Sequence, residues 1–174
     1  MTEDAGYPGR CACGEVRYRM TSAPMFVHAC HCTECQRLSG SAFALNALIE
    51  ADRIETLAGE PESVPVTGTS GKLQTIHRCP CCKVALWSTY PSAGPKVRFV
   101  RVGTLDEPGR IPPDVHIFTS TMLPWMVLPE DVPSVPEFYS AKAMWPAEAQ
   151  ERWRRLKEGQ TAGSPNEAKA AWRS

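Results

Sequence analysis

The stretch Gly9-Arg10-Cys11-Ala12-Cys13-Gly14-Glu15-Val16-Arg17-Tyr18 decides how this chain must fold. It joins a two-cysteine knuckle to an alternating strand pattern, with Val16, Tyr18 and Met20 on one face of residues 15–20. In such a knuckle a tight turn lets both sulfurs face one ion, and Gly14 accepts the positive φ of that turn without penalty. Two ligands are half of a tetrahedral zinc site, so a second pair must come from elsewhere in the chain. Cys79-Pro80-Cys81-Cys82 supplies it. Pairing Cys11 and Cys13 with Cys79 and Cys82 ties the first strand to the middle of the chain, and a bound zinc then contributes folding energy directly. The competing interpretation is that some of these are buried free cysteines, which are common in cores. Short, regular spacing in two knuckles fits a metal site better. Cys81 is the surplus thiol, either unliganded or substituting for a neighbour.

Seven of the eight cysteines fall into three tight groups, and the middle one, Cys30-His31-Cys32-Thr33-Glu34-Cys35, is the densest. Four thiolates seal a structural zinc site, whereas three leave a position for water or substrate. Three thiolates on Zn²⁺ carry a net charge of about −1, which makes a weak Lewis acid. Such a centre is suited to binding a further soft ligand, such as a substrate thiol, and holding it deprotonated. That favours sulfur chemistry over hydrolysis. His31 has two options: it turns in to close a Cys₃His site, or, lying between two ligands, it points away and leaves the site open.

Composition frames these sites. A chain of 174 residues is one domain by length, 43% hydrophobic and 22% charged, as an ordinary globular protein is. Lys plus Arg and Asp plus Glu are both 19, so no overall field attracts nucleic acid or an anionic membrane. The acidic N-terminus shows no signal pattern, and no apolar run approaches the roughly 20 residues that span a bilayer. The expected compartment is therefore the cytoplasm, where thiols stay reduced and cysteine pairs serve as metal ligands rather than disulfides.

The 16 prolines argue for short strands joined by turns. After residues 15–20, strands are expected at 25–29, running into Cys30, and at 42–49, where a short buried helix is the alternative. Residues 33–38 suit one helical turn, broken at Ser39-Gly40. Residues 60–72 read as loop with at most one edge strand. Strands then follow at 73–77, 84–89, 97–102 and 115–118, with turn-rich 106–113 between the last two. The fold class is mainly β. Beyond about residue 121 the prolines suggest an extended segment lying on the core. The one helix is 146–158, with Pro146 near its start and Gly159 as a stop. The last fifteen residues are small and polar and are expected to fray. The domain division is thus 1–125 for the zinc-binding β domain and 126–174 for a proline-rich extension that is not a separate domain.

Motifs and flanks together resemble the glutathione-dependent formaldehyde-activating enzyme family. Residues 9–18 are similar to its opening motif, Cys30-His31-Cys32-Thr33-Glu34-Cys35-Gln36-Arg37-Leu38-Ser39-Gly40-Ser41 to its central one and Cys79-Pro80-Cys81-Cys82 to its third. Asp114-Val115-His116-Ile117-Phe118 is similar to its closing strand, so that the resemblance covers roughly residues 7–125. It implies a β-tent of small coiled antiparallel sheets built around a structural zinc on Cys11, Cys13, Cys79 and Cys82. It also implies a catalytic zinc on Cys30, Cys32 and Cys35, hence two Zn²⁺ per chain. The implied activity is that of a carbon–sulfur lyase, reversibly adding glutathione or a similar thiol to formaldehyde or another small aldehyde. The implied partners are a small thiol and an aldehyde. The chain departs from the family where Lys83 replaces the usual Gly after the third motif and where Arg78 replaces an aromatic before it. A non-Gly residue in a left-handed turn costs roughly 1 kcal/mol.

Other groups are weighed against plainer roles. His28, His31, His77 and His116 are the natural proton carriers near neutral pH, and His116, in an apolar strand, is expected to be structural. Arg37 and Ser39 suit either contact with a carboxylate or carbonyl of the thiol substrate or stabilisation of the local turn. Arg152-Trp153-Arg154-Arg155-Leu156-Lys157 is expected to be the charged solvent face of a helix rather than a nucleic-acid contact. Trp87, Trp125 and Trp145 read as packing residues. The alternative to an enzyme is a non-enzymatic zinc-bearing tent used for ligand or protein binding.

Overall fold

The computed structural model describes residues 6–68, 71 and 73–161. Among these, ten strands form two sheets. The small sheet has the order β1-β2-β5, from β1 (Tyr7–Arg10), β2 (Arg17–Met20) and β5 (Ile54–Ala58). The large one has the order β10-β3-β4-β9-β8-β7-β6. Its strands are β3 (Phe26–Cys30), β4 (Ala44–Glu50), β6 (Glu62–Thr67), β7 (Leu73–Arg78), β8 (Ala85–Thr89), β9 (Val97–Arg101) and β10 (Val115–Ile117). All pairings are antiparallel except β10 on β3. The mainly β expectation holds, and residues 42–49 resolve to strand rather than helix.

Two features depart from the sequence pattern for identifiable reasons, and a third sharpens it. β1 contains Pro8 and Gly9, poor strand formers, yet it pairs with β2 because Gly9 leaves room for a close approach. A Cβ there would meet Tyr18 Cζ at 2.7 Å and the Thr104 carbonyl at 2.8 Å. β5 had no clean alternation and forms on the partner offered by β2. β6 is the one edge strand that residues 60–72 were expected to allow; it is outermost in the large sheet, a position that tolerates Pro65 because an edge N–H need not be bonded.

The central strands are buried on both faces, so their sequences are apolar throughout. Leu45, Ala47 and Ile49 of β4 join Val16, Tyr18, Met20 and Trp87 in one core, beneath the small sheet. Leu48 of β4 joins Phe26, Val97, Val115 and Tyr139 in a second core on the other face. Trp145 and Ala149 belong to this second core, and Trp145 stacks on Phe26 at 5.5 Å. These come from the C-terminal segment, which carries α2 (Ala141–Met144) and α3 (Ala147–Thr161).

Within α3 the charged face is only partly what the sequence suggests. Arg154 and Arg155 pair with Glu151 in solvent, but Arg152 turns inward and grips Glu50 of β4 at 2.5 and 2.7 Å. Gly159 does not end the helix, which runs two residues further. Residues 162–174, expected to fray, lie outside the described residues. Trp87 and Trp145 are core residues, whereas Trp125 is 71% exposed and packs in neither core.

Candidate metal centres and their cavity

The two end knuckles fold as near copies. In the first, the Gly14 N–H donates to the Cys11 carbonyl and the Cys11 N–H to the Val16 carbonyl; in the second, Lys83 donates to Cys79 and Cys79 to Val84. Both turns need a left-handed residue: Gly14 has φ 79° and Lys83 has φ 62°. Lys83 offsets part of that strain by pairing its Nζ with Glu62 at 2.8 Å.

These turns bring the sulfurs of Cys11, Cys13, Cys79 and Cys82 within 4.8 Å of one another. The Cys11–Cys13 separation is 3.5 Å and Cys13–Cys79 is 3.6 Å. Zinc–sulfur bonds of about 2.3 Å in a tetrahedron place sulfurs about 3.8 Å apart, so the group could hold a metal ion of that kind. The Val16 N–H points at the Cys11 sulfur at 3.3 Å, as expected for a thiolate acceptor. Hydrogen bonds from the Val84 and Cys13 backbones hold Cys82 down at about 6, while Cys13 is pushed up to about 12 by its thiol neighbours against the Glu15 N–H. Cys81 is exposed and lies outside the group.

The second group grows from the end of β3. Cys30 closes the strand, Cys32 is the N-cap of α1 (Thr33–Ser39), and its sulfur accepts the Cys35 N–H at 3.3 Å. The three sulfurs lie within 4.8 Å, with Cys30 and Cys32 at 3.5 Å, and could hold a second ion. Hydrogen bonds from Cys30 and Cys35 hold Cys32 far below the usual thiol range, and the same bonds together with burial push Cys30 up. His31 turns away: its Nε2 lies 2.9 Å from His116 Nδ1, in the interior. No fourth protein ligand joins the three sulfurs among the described residues.

Alternation along β3, β4, β7 and β9 puts His28, Cys30, Asn46, Gln74 and Phe99 around one cavity of about 460 Å³, which the three cysteines border. Tyr90, Phe118 and Phe138 complete its apolar lining, and Glu34 of α1 is its acid. Below the cavity, the Arg101 guanidinium donates to Asn46 Oδ1 and, at 3.0 Å, to Ser88 Oγ. The Cys30 hydrogen bond and the Arg101 charge pull Cys35 down, but the Cys32 hydrogen bond and burial outweigh them and push it up to about 12. Burial pushes Tyr90 up to about 12, so it is a neutral phenol at physiological pH.

The other candidates settle into plainer roles. Ser39 Oγ donates to the Cys35 carbonyl at 2.7 Å, and Arg37 is exposed and outside the cavity lining, so turn stabilisation accounts for Ser39 and substrate contact for neither. His77 meets Ser63 at 3.2 Å and stacks on Trp87, and His116 is buried against His31. Sequence reasoning missed Asn46, Gln74, Tyr90, Phe99 and Arg101. One signal was available: Asn46 is a lone polar residue inside an apolar strand, and a buried amide needs partners.

Comparison with known proteins follows the same outline. A sequence profile described as "Glutathione-dependent formaldehyde-activating enzyme" matches residues 6–121. A Halomonas elongata protein, provisionally named a glutathione-dependent formaldehyde-activating enzyme, is 27% identical over 123 residues, which are 68% of this chain and 78% of the relative. A crystal structure of a Rhodobacter sphaeroides protein aligns with 74% of this chain and 99% of its own, at 18% identity and a TM-score of 0.45.

Proposed function

Because the chain belongs to the glutathione-dependent formaldehyde-activating enzyme family, we propose that it is a zinc-dependent carbon–sulfur lyase, reversibly adding a thiol to formaldehyde or another small aldehyde. In this reading Cys11, Cys13, Cys79 and Cys82 hold a structural zinc, and Cys30, Cys32 and Cys35 hold a catalytic one. Bound there, the catalytic zinc would supply the affinity that keeps a substrate sulfur ionised at neutral pH. The observation that carries the proposal is a three-sulfur group bordering a cavity, with His31 turned away from it.

The chain's own residues do the rest. The aromatic side chains of the cavity limit the water around the reacting atoms. In the forward direction a carbon–sulfur bond forms, the carbonyl π bond breaks, and the aldehyde oxygen takes up the proton that the thiol gave up. Tyr90 is an O–H donor lining the cavity and supports negative charge developing on that oxygen. Half-buried Arg101 offsets part of the charge of the thiolates above it.

All eight cysteines are unbridged, which supports a reducing, cytoplasmic setting. Among the described residues no helix is long and apolar enough to cross a membrane. We also assign residues 1–125 to the zinc-bearing unit and 126–174 to an extension rather than a domain. Tyr139, Trp145 and Ala149 packing in its second core supports that division.

Exchange spectroscopy with ¹³C-formaldehyde and a panel of thiols tests the activity. Zinc-loaded protein is expected to accelerate hemithioacetal exchange, and Cys35→Ser to abolish the acceleration. Fully loaded protein that binds no thiol and leaves exchange at the solution rate would refute the proposal.

A further inference from the structure

Glutathione enters as the thiol through the family's name, yet the cavity is lined for a different kind of molecule. Five rings form one continuous wall: Tyr90 meets Phe99 edge-on at 4.7 Å, Phe99 meets His28 at 6.1 Å, and His28 meets Phe138 and Phe138 meets Phe118 at 6.2 Å each.

The charged lining is acidic: Glu34 and the three cysteines stand among neutral hydroxyls and amides. A carboxylate only accepts, so Glu34 fixes the neighbouring amide: Gln74 Nε2 donates to Glu34 Oε1 at 3.2 Å. That leaves Gln74 Oε1 without a partner, on a side chain only 3% exposed that lines the cavity. An acceptor buried in this way costs free energy until a donor reaches it. Asn46 is already used at both ends, by Arg101 and by the Ala44 carbonyl. Among the described residues that line the cavity there is no Lys or Arg. Arg101 lies outside the lining and directs its two terminal nitrogens at Asn46 and Ser88.

Glutathione carries two carboxylates and one ammonium, and carboxylates are recognised by Arg, Lys or converging N–H groups. Here they would meet Glu34 and a three-thiolate centre that stays negative even around a dipositive ion. We infer that this cavity selects a thiol with an apolar, aromatic body, an N–H or O–H donor for Gln74 and Glu34, and no carboxylate. The inference rests on the thiol-binding proposal above and narrows it.

Calorimetric titration of the zinc-loaded, full-length protein tests it with three ligands: N-(2-mercaptoethyl)benzamide, glutathione and glutathione diethyl ester. The benzamide thiol is expected to bind at least about tenfold tighter than glutathione, a difference of about 1.4 kcal/mol. The diester is expected to bind tighter than the free tripeptide, and Glu34→Gln to narrow that gap by removing the like charge. Glutathione binding as tightly as the other two overturns the inference and leaves the thiol proposal standing. Binding of none of the three overturns both.

Discussion

The two cysteine groups close chain loops of very different length, and this sets how much each contributes to stability. Cys13 and Cys79, 66 positions apart, bring their sulfurs to 3.6 Å. Cross-linking a loop of that size removes denatured-state entropy worth about 4 kcal/mol. Cys30 and Cys35 are five positions apart. Closing so short a loop is worth about 2 kcal/mol, and less where a helix already orders it. Cys79 is also fully buried among Val16, Leu86 and Trp87, so a serine there puts a hydroxyl in the core. Native stabilities are only about 5–15 kcal/mol, and each kcal/mol moves the Tm of a chain this size by about 2–4 °C. Cys79→Ser is therefore expected to lower Tm by about 8–16 °C or to prevent folding, and Cys35→Ser by about half as much or less. Elemental analysis alongside thermal melts followed by circular dichroism reads both effects. The wild type should hold two zinc ions, and folded Cys35→Ser protein should hold one. A Cys79→Ser protein that keeps both ions, or melts no lower than Cys35→Ser, would refute this division of labour.

Two further outcomes concern how the fold is assembled. Arg152→Met takes the bidentate partner from the Glu50 carboxylate, 8% exposed, leaving the longer Arg53 contact at 3.4 Å, and is expected to cost about 2–3 kcal/mol in urea denaturation at pH 7. Burial pushes Glu50 up, but the Arg152 hydrogen bonds more than reverse this, so its folded pKa lies below the ordinary 4.5. The stabilisation is thus present above about pH 4.5 and lost as pH falls through the folded value, and the gap between wild type and variant should close in acid. A gap unchanged at pH 3 would show that the pair is not its source. Gly9→Ala, whose Cβ would sit 2.7 Å from the fixed Tyr18 ring and 2.8 Å from backbone, is expected to cost about 1–3 kcal/mol in the same assay. A neutral effect there would mean that β1 can shift away from β2.

Much of the fold was legible because its signals are local. Alternation in residues 15–20, the double-sided apolar runs that became β3 and β4, and the Pro146 start of α3 each reflect chemistry within a few residues. β1 and β5 were not legible, because their strand character comes from what they pair with rather than from their own side chains. Arg152 looked like its neighbours Arg154 and Arg155 and became a buried partner only because Glu50 of a distant strand faces it. Trp125 shows the converse error, an aromatic that composition assigns to packing and the fold leaves exposed.

Sequence alone determined the cysteine grouping, because ligand spacing within a knuckle or a helical turn is a short-range constraint. It also determined that four thiols could close one site and three could leave another open. Tertiary structure decided what surrounds the open one. Turns at the ends of β1 and β7 set Cys11 and Cys79 in the core under the small sheet, with Cys13 exposed, while Cys30 at the end of β3 puts the three-sulfur group on the other face, beside an aromatic cavity. The amides and rings of that cavity come from segments far apart in sequence. A preference for one ligand over another is a sum over such distant groups, and only the folded chain brings them together.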